Sequence, residues 1–477
     1  MYDLIVIGDD LSSHVAAAVA AGYGMKTVLV AEHGTGGIYL ADDFVFSTDP
    51  TPLSGFGPTQ TYLTLLAEID APPIEREAKL LNPAYQIILP EHRIDFFNDK
   101  EALINEIARE FPLQAREINV FYETAMKRSA VFARWLHEHP FIKPLGIKDY
   151  YNYLKLVPHL LMQQLERARL LRILAADAAL KKVFEAQDAL LGNTTGCQSG
   201  LASSFQYCTP FRGVYNFQQG KQIIFNSLIN KLEDRNGSYL SNCEILDIKR
   251  GENIEIEIAV GADNTSVISA KKLIVSTKWD AMHLLLKDKK KINFGDWFNP
   301  VKVSHLPFTI HLGCARKCIP EKMSRHVAVV SDIQRDIYDN NLIILEANMT
   351  DENAFAAEKI SLTATVFLPH DSAGWPKEKL SAESSAMIDR LEFFLPFLKE
   401  NILFFDLDKS IELSKKSHRV FNPKYQLKRS FITGFAARTN RTRFKNVYLT
   451  GASLLLDAGF EGEIISGMNA ASRVIAQ

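Results

Sequence analysis

The sequence predicts an α/β fold in two domains: one built on a central parallel sheet, the other of mixed sheet and helices. Three observations predict it. Residues 1–37 read as strand, helix and strand within about thirty residues, the size of one βαβ unit. The end of the chain returns to that pattern, with an apolar run Asn446–Thr450, then Gly451-Ala452-Ser453, then a helical segment 463–476. Between these ends lie a long helical stretch and a series of consecutive strands without intervening long helices, the mark of a mixed sheet. The parallel-sheet domain is therefore expected from three separated segments, 1–75, 205–290 and 420–477. The second domain takes 76–204 and 291–419, with 98–200 as a mainly helical lobe.

The first unit fixes the chemistry to look for. Tyr2–Ile7 is a run of β-formers, an Ala-rich helical pattern follows from Ser13 to Ala21, and Thr27–Ala31 is a second run with Glu32 at its end. Strands joined by a crossover helix are parallel. Such units bind dinucleotides when the first turn is glycine-rich, because glycines let the turn tighten and let a pyrophosphate approach the helix N-terminus; the acid after the second strand then holds a ribose hydroxyl. Here Gly8 and Glu32 are in place, but Asp10 and Ser13 stand at the second and third glycine positions. A carboxylate repels a pyrophosphate, and Asp9, Asp10 or Ser12 is placed to cap the helix and take up its N–H groups instead.

Composition sets broad limits. The chain has 477 residues, enough for more than one packed domain, and 47% of them are hydrophobic. A net charge of −2 implies no general attraction to nucleic acid. Tyr2–Ile7 lacks a basic flank and reads as a strand rather than a signal peptide, and no apolar run approaches a membrane span, so a cytoplasmic protein with at most peripheral membrane contact is expected. Five cysteines, with Cys314 and Cys318 as a lone C-x3-C pair, complete no zinc site and read as reduced and buried.

After Glu32 come Gly36 and Gly37, then Phe44–Thr51 and a turn-rich stretch to Pro58. Gln86–Leu89 and Arg93–Phe97 alternate about Pro90-Glu91-His92 as a hairpin. Asn98 with Glu101 forms a capping box for a helix whose apolar face is Leu103, Ile107 and Phe111. From Arg116 to Ala189 the pattern is helical, with breaks at Pro140, Pro144 and Pro158. Within it Leu160, Leu161, Leu165, Ala168, Leu171 and Leu174 form an apolar stripe beside Arg167, Arg169 and Arg172. The stripe reads as core, with docking on a membrane or the lining of an apolar tunnel as alternatives. Residues 192–210 read as a polar connector. A helix over 222–232 and strands over 243–248, 254–260, 266–269 and 272–276 follow. Further strands are expected at 308–312, 327–330, 342–345 and 362–367, and a helix over 378–400. No nucleophile–base set emerges; His305, His311 and His418 read as structural.

Taken together, these segments resemble the FAD-dependent phytoene desaturase and amine-oxidase-like oxidoreductases, in order and over nearly the whole chain. The matching features are the βαβ unit with Glu32 and Gly36-Gly37, the Phe46–Thr51 segment, Tyr215-x4-Gly220 with Ile245 and Ile248, and Lys272–Thr277. The most specific is Asn446–Ser453 with Gly459-x2-Gly462 and Ser466-Gly467-x2-Ala470. The resemblance implies an FAD/NAD(P)-binding Rossmann-like domain and a substrate domain. It implies that Gly8, Asp10, Ser12, Ser13 and Glu32 face the dinucleotide, and that Gly36, Gly37, Ile245, Gly451, Ala452, Gly459 and Gly462 line the rest of the cofactor site. The implied reaction is hydride transfer, desaturation or isomerisation of an apolar, isoprenoid-like substrate, with the chemistry supplied by the flavin.

The departures from the family pattern cluster. Asp10, Asp49 and Asp457 stand where the family has glycines, Ser13 and Ser453 replace two more, and Glu461 and Glu463 add charge at the N-terminus of the last helix. A second reading follows: a flavin-free member that binds a lipid or a protein, as Rab GDP-dissociation inhibitors do on the same architecture. Asp9, Asp10, Asp49 and Asp457 also offer hard oxygen ligands, but their spacing matches no metal-binding loop, and no metal is expected.

Overall fold

A computed structural model describes residues 1–34, 37–57, 61–71, 78–138, 147–195, 200–217, 220–261, 264–279, 281, 284–285, 301–348, 358–371, 374–417, 421–427, 439–442, 444–456 and 458–476. Among the sequence expectations, Gly36, Pro140, Pro144, Cys197, His418 and Asp457 lie outside them, as does the side chain of Leu160.

Tyr2–Ile7 is the strand from which the first sheet is built. It pairs in parallel with Thr27–Ala31 on one side and with the long strand Asn264–Ser276 on the other. Val447–Thr450 then pairs in parallel with the end of Asn264–Ser276, so strands from both ends and the middle of the chain lie in one sheet. Among the described residues the sheet has seven strands, extended at one edge by Ser238–Ser241 and at the other by the antiparallel strands Ile254–Val260 and Cys243–Arg250. The runs 266–269 and 272–276 are one strand, because Asn264–Ser276 is long enough to serve two partners: its first half takes Ile254–Val260 and its second half takes Val447–Thr450.

The continuous apolar character of these strands has a direct cause: both faces are covered. Alternation sends Leu4, Val6 and Leu29 to one face, against the helices Leu11–Gly22, Gln222–Asp234 and Gly459–Ile475, and Ile5, Ile7, Val28 and Val30 to the other. The first helix is buried from Leu11 to Ala21, and its five alanines let neighbouring helices come close. The tightest approach is at Gly467 in the last helix, where an added Cβ would lie 2.4 Å from the carbonyl oxygen of Ser12.

The second sheet has eight strands among the described residues. Ile402–Phe405, Val301–Ala315, Lys359–Pro369, Leu342–Asn348 and His326–Val330 run antiparallel in that order; Tyr85–Ile88 joins in parallel and hairpins to Arg93–Phe96. Lys424–Leu427 pairs with Val301–Ala315 in this sheet, although it lies within 420–477. The helical lobe comprises Lys100–Glu110, Ala115–Glu138, Ile147–Ala175, Ala178–Leu191 and Gly200–Tyr207. The chain is thus an α/β fold with a Rossmann-like parallel-sheet domain beside a domain of mixed sheet and helices.

Four expectations are corrected. The cap of Lys100–Glu110 is Asp99, whose carboxylate accepts the Ala102 N–H at 2.8 Å; Asn98 instead gives its amide to the Leu81 carbonyl. Ile147–Ala175 runs through Pro158 without a break: Pro158 lies exposed on the helix, and a proline removes one backbone donor without ending a helix whose other turns are held. The stripe on that helix is not core, since Leu161, Leu165 and Leu171 are 55%, 69% and 52% exposed while Leu170 and Leu174 are buried. The supposed connector 192–210 contains the helix Gly200–Tyr207, with Phe205 and Tyr207 buried.

Candidate functional site

The C-terminal ends of Tyr2–Ile7, Thr27–Ala31, Asn264–Ser276 and Val447–Thr450 converge at the N-termini of the first and last helices, the place where open parallel sheets bind ligands. Gly8 is obligatory there. It has φ +150°, and an added Cβ would lie 2.4 Å from Ser13 Oγ and 2.5 Å from Ser276 Cβ.

Asp10 is fully buried at the N-cap of the first helix. Its carboxylate does not bond the helix N–H groups, which corrects the capping expectation. Ser12 Oγ donates to one oxygen at 2.8 Å and Ser13 Oγ to the other at 2.5 Å. Two hydroxyls two and three residues on are the nearest donors, and they close a small ring over the helix start. Asp9 accepts the His33 N–H at 3.2 Å. His14, one turn in, sits 2.9 Å from the Asp10 carbonyl through Nδ1, and burial pushes its pKa down to about 4.

Glu32 ties three segments together. One carboxylate oxygen accepts the Ile245 N–H at 2.9 Å and the other accepts the Trp279 indole N–H at 2.8 Å. The backbone of Ile245 is thus engaged by Glu32 itself. Gly37 lies against the start of Gln222–Asp234: its N–H donates to Gln222 Oε1 at 3.1 Å, and a Cβ there would come within 3.1 Å of the Gln222 backbone nitrogen.

Of the C-terminal motif residues, Gly451, Ala452 and Gly462 face protein, whereas Gly459 lines a small cavity beside Glu463. A Cβ on Gly451, at φ +132°, would lie 2.2 Å from Thr277 Oγ1, and the Gly451 N–H donates to Ser466 Oγ at 3.0 Å. Ala452 is buried, Ser453 donates to Thr277 at 2.8 Å, a Cβ on Gly462 would meet Ala458 at 2.7 Å, and one on Gly459 would be 3.3 Å from the Leu191 carbonyl. Gly8, Asp10, Ser12 and Ser13 therefore form one buried turn. Glu32 and Ile245 meet in a second cluster, while Gly451 approaches Thr277 and Ser466 and Ala452 is buried beside it.

Sequence reasoning missed the basic partners. Lys221 Nζ donates to Asp49 and, at 2.8 Å, to Thr51 Oγ1, and Asp49 also accepts the Thr51 N–H at 2.9 Å. Arg212 pairs with Glu461, which accepts Thr61 Oγ1 at 2.7 Å. Lys278 lies 3.6 Å from Glu463 and donates to Asn422 at 2.7 Å; Asn422 in turn donates to Glu463. Burial raises the Glu463 pKa, an effect Lys278 opposes. Lys221, Arg212 and Lys278 each lie more than 100 residues from the partners they hold here, and the sequence signal was the clustering of acids at and beside glycine positions.

Between these pairs lies a cavity of about 50 Å³, lined by Asp49, Thr51, Lys221, Asn193, Asn422 and Glu463 among others, with room for a few water molecules. Among the described residues no three His, Cys, Asp or Glu side chains converge as metal ligands. His311 and His326 are buried neutral rings with pKa values pushed down to about 4, and Cys208, Cys243, Cys314 and Cys318 are free, buried thiols. His305 is half-buried and stacks on Tyr338 at 5.0 Å.

The donor set does not suit FAD in its usual pose. A pyrophosphate needs the positive end of a helix, and here a buried carboxylate sits at that end, held by Ser12 and Ser13.

No family model matches the chain, and no curated protein sequence matches it. Solved structures do. A putrescine oxidase variant, redesigned in its cofactor binding, aligns over 100% of this chain and 99% of its own with a TM-score of 0.61 and 13% identity. An oxidoreductase from Methanosarcina mazei aligns over 100% of both chains, with a TM-score of 0.57 and 13% identity. A Rab GDI from Plasmodium falciparum aligns over 100% of this chain and 98% of its own, with a TM-score of 0.53 and 10% identity. At such identities the likeness shows the fold alone, one that this chain shares with two oxidoreductases and with a Rab GDI.

Proposed function

We propose that this chain is a flavin-free member of the FAD-dependent oxidoreductase fold that acts by binding an apolar ligand, a lipid or a lipid-bearing protein. The observation that carries the reading is Asp10, buried over the start of the first helix and held by Ser12 and Ser13. In an anion site this place is positive; a fixed carboxylate makes it repulsive, at roughly 1–3 kcal/mol for one partly buried pair of like charges. Asp49 is paired with Lys221 and Glu32 accepts the Ile245 and Trp279 N–H groups, so the chain itself holds these two acids. The likeness to a Rab GDI is consistent with this reading, since it places a protein named for regulation rather than redox chemistry on the same fold.

The second reading is an FAD-dependent oxidoreductase of phytoene desaturase type, acting on an apolar isoprenoid-like substrate. It is favoured by end-to-end alignment with oxidoreductases. If bound, the flavin would supply hydride chemistry, and the chain would supply only position and exclusion of water.

Reversal separates the two. Asp10→Gly restores the family residue and uncovers the helix start. The parent is expected to show no FAD binding by titration and Asp10→Gly to show measurable binding. Tight binding by the parent, unimproved in the variant, would remove Asp10 as an obstacle and favour the oxidoreductase.

A further inference from the structure

Among its described side chains, the helix Ile147–Ala175 buries one side, near its end. Leu170 and Leu174 are buried, while Tyr151, Leu154, Leu161, Met162 and Leu165 are between 49% and 69% exposed. At about 100° per residue these five fall within an arc of about 100°, roughly opposite the buried pair, and from Tyr151 to Leu165 they extend about 21 Å. Pro158 lies exposed on the same face. Exposed aliphatic and aromatic side chains in one continuous ridge mark a surface that meets something apolar.

The charges say what. Residues 150–175 carry Lys155, Arg167, Arg169 and Arg172 against the single acid Glu166, in a chain whose net charge is −2. Arg169 and Arg172 are exposed and continue the apolar face one turn beyond Leu165; Lys155, also exposed, flanks it, with its ammonium 4.6 Å from the Tyr151 ring. Among the described residues no helix is long and apolar enough to cross a membrane. A convex apolar ridge with basic residues at its end and edge fits a surface that is apolar within and anionic at its boundary. Long basic side chains can reach phosphate while their stems and the leucines enter the acyl region.

We propose that this helix face docks the protein on an anionic membrane surface, with Tyr151, Leu154, Leu161, Met162 and Leu165 inserted and Lys155, Arg169 and Arg172 on the lipid phosphates. The inference goes beyond the cleft and holds for either occupancy of it. FAD content is read on the same preparation, so failure of one reading is not failure of the other.

The test uses the full chain and vesicles of phosphatidylcholine with or without about 30% phosphatidylserine. The protein is expected to sediment with the anionic vesicles and to be released by salt. Leu161→Asp with Leu165→Asp is expected to weaken binding by about tenfold or more. Arg169→Gln and Arg172→Gln are each expected to weaken it by about fivefold. All four positions are exposed on one helix, and thermal melting of each variant confirms the fold. A tryptophan placed by Leu165→Trp is expected to shift its emission to the blue on anionic vesicles. Absence of binding by the folded parent would overturn the proposal, as would binding that ignores both the leucines and the arginines. A vesicle-independent dimer that Leu165→Asp dissociates would overturn it too, because the face would then be an interface between copies.

Discussion

At the scale of single residues, burial of ionisable groups makes stability depend on pH. His14, His311 and His326 are each held neutral, with pKa values lowered to about 4 by desolvation. The unfolded chain binds protons on these rings near pH 6.5 and the folded chain does not until near pH 4, so stability is full above about pH 7 and falls as pH drops through that window. Each ring is expected to remove on the order of 2 kcal/mol by about pH 5. Glu463 acts in the opposite sense: its raised pKa favours the fold at low pH, and that contribution is lost as pH rises through the folded value. Three rings outweigh one carboxyl, so denaturant unfolding at about pH 5 is expected to show a clear loss relative to about pH 7.5. Equal stability at the two pH values would mean that the rings are hydrated or paired. At this scale the sequence showed which residues depart from the family pattern but not what they touch. Asp10 was visible as an anomaly; that Ser12 and Ser13 hydroxyls, rather than helix N–H groups, hold it depends on geometry within three residues where both arrangements are chemically possible.

At the scale of elements, close helix packing depends on residues without side chains. Gly467 brings the last helix onto the first turn of the first helix, and a Cβ would strike the Ser12 carbonyl at 2.4 Å and Val15 Cβ at 2.8 Å. Because a backbone atom cannot step aside, Gly467→Ala is expected to destabilise by about 1–3 kcal/mol, read as a lowered denaturation midpoint with an unchanged slope. An unchanged midpoint would place the two helices further apart. Strands such as Tyr2–Ile7 and Ile254–Val260 were legible because an apolar run or a period of two carries the signal locally. The face of Ile147–Ala175 was not. An apolar stripe has the same sequence pattern whether it meets a core or solvent, and the packing of Leu170 and Leu174 decided which side turned inward.

At the scale of the whole molecule, fold and function separate. The architecture was legible because both ends of the chain carry parallel-strand signals that meet in one sheet, and solved structures at 13% identity share the fold from end to end. The interior of the cleft was less so, because Lys221, Arg212 and Trp279 reach their acidic partners from segments more than 170 residues away. The central claim rests on the buried Asp10 carboxylate at the start of the first helix, held by Ser12 and Ser13. The most direct measurement is the flavin content of the purified native protein, by absorbance and by FAD released on denaturation, followed by melting with and without FAD. A ligand at about a hundred times its Kd stabilises the native state by about 2.7 kcal/mol, so bound FAD cannot leave the transition unmoved. The account predicts protein free of flavin absorbance, no released FAD, and a melting temperature that FAD does not change; stoichiometric FAD in the native protein, or a rise of several degrees on adding it, would contradict the account.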